Sequence, residues 1–149
     1  MNSDYRRVVH DINDAIQDYY TVYNKGAGKI DAYQLTVQQE NVMLFIMRHE
    51  RTTAHEIANA FAISKSAVSQ VLSKLESRGF IVRESNPNNL RESFILLGAE
   101  GQQYAAWIDE ADETFVRTLF SQIELADLKQ MLQTLNKINR IMQESTTKR

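Results

Sequence analysis

The sequence predicts a mainly α-helical chain with one small β-hairpin, and three observations lead there. Thr53 to Gly79 reads as two helices joined by a tight turn. FIVRE and FILL, directly after it, flank a polar tip that holds Pro87, the only proline of the chain. At both ends of the chain, apolar residues recur at helical and not at alternating spacing. The fold class is therefore a helix-turn-helix with a hairpin wing, set between N- and C-terminal helices suited to dimerisation.

In order, residues 4–24 form the first helix. Val8, Ile12, Ala15, Ile16, Tyr19, Tyr20 and Tyr23 keep the helical period, with Asp11, Asp14 and Asp18 opposite. Gly26 and Gly28 end it, and KGAGKIDAYQ is a loop. Thr36 with Gln39 makes a capping box. The helix it opens is apolar nearly all round (Val42, Met43, Phe45, Ile46, Met47), which predicts a central, buried position. HERTT breaks it. Thr53 with Glu56 makes a second capping box, followed by a stripe of Ile57, Ala58, Phe61 and Ala62. Ser64 is a good N-cap for the next helix, where Val68, Val71, Leu72 and Leu75 form the apolar face. Gly79 stops that helix, with Lys74 and Arg78 well placed in its last turns.

Beyond the hairpin, Gly98 to Gly101 punctuates the entry to a long helix striped by Tyr104, Ile108, Ala111, Phe115 and Leu119, with Trp107, Val116 and Phe120 beside them. Ser121 with Glu124 reads as a further capping box opening the last helix. Leu125, Leu128, Leu132, Leu135 and Met142 recur there at heptad-like spacing, and the tail QESTTKR frays. The expected organisation is one compact chain in three parts. Residues 1–34 are an N-terminal dimerisation helix and loop, 35–98 the winged unit, and 99–149 the C-terminal dimerisation helices. The terminal helices carry more apolar surface than the winged unit can cover, so two chains burying them together is the economical solution. Val8, Ile12, Leu125, Leu128, Leu132 and Leu135 are the expected interface.

Composition excludes several classes. No window of about 18 apolar residues exists, so no membrane span is expected, and the N-terminus has no apolar core of a signal peptide. The chain lacks cysteine, which removes disulfides and thiolate metal sites. A cytoplasmic protein without cofactor follows. His10, His49 and His55 are scattered without ligand spacing, so no metal site is expected. No histidine and serine are ordered as a hydrolytic pair, so an enzyme is not expected either. The KGAGK loop lacks P-loop spacing.

The second helix of the pair leaves Lys65, Ser66, Ser69, Gln70, Ser73 and Lys74 exposed. Short hydrogen-bonding side chains flanked by cations suit a helix lying in a DNA major groove. Net charge is −2, but the stretch from Ser64 to Ser93 is mildly positive, which allows specific binding with weak non-specific affinity. The candidate partner is double-stranded DNA. The contacts are Ser64, Lys65, Ser66, Ser69, Gln70, Ser73 and Lys74 from the helix, with Asn88, Asn89 and Arg91 from the tip. A rival from another class is a winged-helix dimer serving as a protein-interaction or small-molecule-sensing scaffold. Exposed aliphatics would favour it, and this face has none.

From Leu35 to Gly101 the chain resembles the MarR family of bacterial transcriptional regulators. Leu35-Thr36 with Gln39, Glu56-Ile57-Ala58, Ser66-Ala67-Val68-Ser69, Leu75-Glu76-Ser77-Arg78-Gly79-Phe80-Ile81 and Arg91 carry the likeness. The resemblance implies a dimer presenting two winged units to a pseudo-palindromic site, and repression often relieved by a small phenolic or amphipathic ligand. It implies that Ser66, Ser69 and Gln70 read base edges or nearby phosphates, that Lys65 and Lys74 hold the backbone, and that Arg91 reaches the minor groove. Tyr19, Tyr20, Tyr23 and Trp107 are the candidate ligand-pocket residues, though aromatics at this spacing more often form core or dimer interface. Three positions depart from the family. Asn86 and Asn89 stand where aspartates are usual, which predicts a softer wing. Gln70 stands where a basic residue is common, which favours adenine. Gly98 replaces a usual threonine N-cap, leaving the long helix less well defined at its start.

Overall fold

The computed structural model describes residues 3–26 and 32–147, in the order α1 (Ser3–Gly26), α2 (Val37–Met47), β1 (Thr52–Thr53), α3 (Ala54–Phe61), α4 (Lys65–Ser77), β2 (Ile81–Ser85), β3 (Ser93–Leu97), α5 (Ala99–Thr118) and α6 (Leu125–Thr147). Gly28 and half of the loop expected after α1 lie outside the described residues. The fold class is as predicted, six helices with a small antiparallel sheet.

Both winged-unit capping boxes form. The Thr36 hydroxyl accepts from the Gln39 amide at 3.2 Å while Gln39 Oε1 accepts from the Thr36 amide at 2.9 Å. Thr53 and Glu56 repeat the exchange at 3.2 and 2.9 Å. Each box satisfies two amides that a helix start leaves without partners. Ala62 does not extend the α3 stripe. It is the exposed C-cap, in the left-handed region at φ 50°, and so makes the tight turn that Ser64 then converts into α4.

The sheet has one strand more than the hairpin. Its order is β1-β3-β2, with Thr52 opposite Ile95 and Thr53 opposite Phe94. Two residues are too few to show a period, so the sequence pattern gave no sign of β1. Thr53 ends this strand and caps α3, which ties helix-turn-helix and wing into one body. The core lies between α2, α3, α4 and the sheet. Val42, Met43, Ile46, Ile57, Val68, Leu72, Leu75, Ile81, Ile95 and Tyr104 are buried there.

Gly79 ends α4 at φ +76°. The backbone of Gly98 packs directly on the Gly79 carbonyl, so a Cβ at position 98 would overlap that carbonyl. A threonine therefore cannot occupy this backbone, and the start of α5 is well defined without one. The Gly98 amide donates to the Phe80 carbonyl at 2.9 Å, and Glu100 to that of Gly79 at 3.1 Å.

The described chain falls into two compact units, one running to Trp107 and the other beginning at Ile108. In the second, the Ser121–Glu124 capping box does not form. Phe120–Gln122 is a 3₁₀ turn, and the Ser121 hydroxyl donates back to the Arg117 carbonyl at 2.7 Å. The α6 helix begins at Leu125 and continues to Thr147, so the expected fraying does not begin at Gln143. Its Leu125, Met131, Leu132, Leu135, Ile138, Ile141 and Met142 are all exposed, none below 41%. Leu128 is half-buried. In the first unit, Val8 and Ile12 of α1 are 50% and 46% exposed.

Candidate nucleic-acid interface

Burial of Val68, Val71, Leu72 and Leu75 fixes which way α4 faces. Lys65, Ser66, Ser69, Gln70, Ser73 and Lys74 are consequently all exposed on the other side. Ser64 is differently employed, since its Oγ accepts from the Ala67 amide at 3.1 Å. Its hydroxyl proton remains available to a phosphate or base.

The asparagines of the wing keep a hydrogen-bonded turn. Asn86 is buried, and its Oδ1 accepts from the Asn88 amide at 3.0 Å. Asn89 Oδ1 accepts from the Arg91 amide at 3.2 Å. Backbone bonds from Asn89 to Asn86 and from Glu92 to Asn89 close the same two turns. Two Asx-type turns in succession brace the tip. Asn89 thus holds the backbone of Arg91. Leu90, at 88% exposed, is the apex.

The cations divide into two groups. Arg83 Nε lies 2.9 Å from Glu76 Oε2, and Arg51 lies 3.4 Å from Glu84 and over the Phe94 ring. Arg78 donates to the backbone carbonyls of Tyr33 and Gln34, the latter at 3.2 Å, and its guanidinium lies over Phe80. It ties the end of α4 to the chain entering α2, a tertiary role that its place in the sequence does not reveal. Lys65, Lys74 and Arg91 have no ion pair among the described residues. These three leave positive charge on α4 and the wing available to a polyanion. A cleft of about 520 Å³ opens between α3, α4 and the hairpin, lined by Lys65, Ser69, Asn89 and Arg91 together with His55 and Arg83. Sequence spacing could not place the last two there, because the sheet and the turn after α3 bring them in.

The four candidate pocket aromatics make ring contacts in two places. Tyr19 contacts Tyr20 and Tyr23 along α1, each at 5.8 Å between centroids. Trp107 joins Tyr33 and Tyr104, which pack edge to face at 5.1 Å, with Phe80 beside them. Burial pushes the Tyr104 phenol up to about 12, with the charge of Glu40 and the phenols of Tyr23 and Tyr33 adding to it. Burial also raises the Glu40 carboxyl. Among the described residues no three acidic or histidine side chains are placed to hold a metal ion, and no helix is long and apolar enough to cross a membrane.

Residues 33–92 match the sequence model of the MarR family. No curated protein matches the chain. Among solved structures, MarR of Staphylococcus aureus in complex with salicylate and kanamycin is 16% identical, with 95% of this chain and 97% of that one aligned at a TM-score of 0.76. AbsC, a MarR family transcriptional regulator from Streptomyces coelicolor, is 15% identical with 97% of each chain aligned, at 0.71. A mutant of S. aureus MepR bound to an oligodeoxyribonucleotide is 21% identical, with 93% and 97% aligned, at 0.58. The MarR family consists of transcriptional regulators and not of enzymes. Over residues 33–92 the chain is similar in sequence to the MarR family, and the described chain has the fold of the solved MarR-family structures.

Proposed function

We propose that the protein is a homodimeric, sequence-specific DNA-binding repressor of the bacterial cytoplasm, released from a pseudo-palindromic site by a small amphipathic or phenolic ligand. The observation that carries this reading is the exposed face of α4. Six polar or cationic side chains, the unpaired Lys65 and Lys74 among them, stand there without one aliphatic, beside a braced wing that carries the unpaired Arg91. A protein-docking surface would bury apolar side chains at its centre, and this face has none to offer.

In this mechanism Gln70, Ser66 and Ser69 read base edges or nearby phosphates, and Lys65, Lys74 and Ser73 hold the backbone. Arg91, with Asn88 and Asn89, engages the adjacent minor groove. The apolar stripes of α1 and α6 support the dimer, since Val8, Ile12, Leu125, Leu132 and Leu135 are exposed in the single chain. A two-fold pair then sets the α4 helices about one DNA turn apart, roughly 34–36 Å. A ligand near Tyr19, Tyr20, Tyr23 or Trp107 that favours another separation of the readers weakens binding in proportion to its preference for that state. That S. aureus MarR was crystallised with salicylate supports a phenolic ligand.

Selection of bound duplexes from a random pool tests the reading. An inverted repeat of fixed spacing is the expected product, and a pool that shows no enrichment would overturn it.

A further inference from the structure

The cleft between α3, α4 and the hairpin is rich in donors. Lys65 and Arg91 are unpaired cations on its wall, Ser69 offers a hydroxyl, and Arg83 adds a guanidinium shared with Glu76. His55, exposed on α3, completes it, with its Nε2 3.1 Å from Asn59 Nδ2. The Asn59 amide can turn to present its oxygen, so this neighbour serves the ring in either protonation state.

We infer that this cleft seats a phosphate of the DNA backbone and that His55 is the titratable member of the seat, so that DNA binding takes up a proton. The inference rests on the DNA-reading function proposed above. It places one phosphate where the strand passes from the groove read by α4 to the groove met by the wing. The charged groups facing His55 are Lys65 from α4, Arg83 from β2, and Arg91 and Glu92 from the hairpin. On its own helix, Glu56 has its carboxylate engaged by the Thr52 hydroxyl and the Thr53 amide. The negative charge of a phosphate among these groups offsets part of the repulsion from the two free cations and favours the imidazolium. The chain has three histidines. His10 pairs with Asp14 at 3.1 Å, and His49 sits 2.6 Å from the Phe45 carbonyl. Neither lines the cleft, so the proton can be assigned by substitution.

The test is anisotropy titration of the full chain with a selected duplex at about pH 6 and about pH 8, at fixed ionic strength. Wild type is expected to bind roughly three- to tenfold tighter at the lower pH, with a salt slope steeper by about one. His55→Gln should bind weakly and without pH dependence. His55→Lys should bind tightly and without it, while His10→Gln and His49→Gln keep the wild-type ratio. A wild-type ratio retained in His55→Gln, or no ratio in wild type, would overturn the seat while leaving the DNA-reading function standing. Failure of any duplex to bind at either pH would sink that function and the seat together. Inorganic phosphate titrated against the DNA-free protein, followed by the His55 ring resonances, distinguishes the source of the phosphate. Saturation at low-millimolar phosphate would reassign the cleft to a free anion.

Discussion

At the scale of single residues, Gln70 is the sharpest commitment. It is exposed on α4 with its neighbours Ser66 and Ser73, and its amide can offer adenine the paired donor and acceptor that N7 and N6 demand. Gln70→Ala should cost about 1–3 kcal/mol on a selected site and relax preference at one base position per half-site. Equal weakening on all sequences, measured by competition between single-base variants, would remove Gln70 from base reading. The exposure of Gln70 was legible in the sequence because the four buried residues of α4 fix its direction. Arg78 and Arg83 could not. Both are basic residues near a polar face, yet one is tied to the Tyr33 and Gln34 carbonyls and the other to Glu76. Partners far apart in sequence leave no local signal.

At the scale of elements, capping chemistry marked out the helices of the winged unit, because Thr36, Thr53 and Ser64 act within their own turn. The same pattern misled at Ser121, where the hydroxyl bonds back to Arg117 and the chain takes a 3₁₀ turn. Strand β1 was invisible for a different reason, since it exists only by pairing with β3. The wing keeps its turns despite the departure from the family pattern. Asn86 and Asn89 lack the expected carboxylates but hold the tip through two side-chain-to-amide bonds. Arg91 is therefore presented on a defined turn, and Arg91→Ala should weaken binding to all duplexes. The slope of log K against log salt should shrink by about 0.9 for the phosphate lost. An unchanged slope would take the wing off the DNA.

At the scale of the whole molecule, the apolar stripes of α1 and α6 were legible as period and remain exposed in the single chain. What covers them is a property of two chains, and no single sequence states the distance between two readers. The central claim is that α4 acts as one of a two-fold pair. Its most direct test is to insert about five base pairs, roughly half a turn of DNA, between the half-sites of a selected duplex. The two-fold account predicts that affinity falls to that of a single half-site or of non-specific DNA. Unchanged affinity for the lengthened duplex would contradict it.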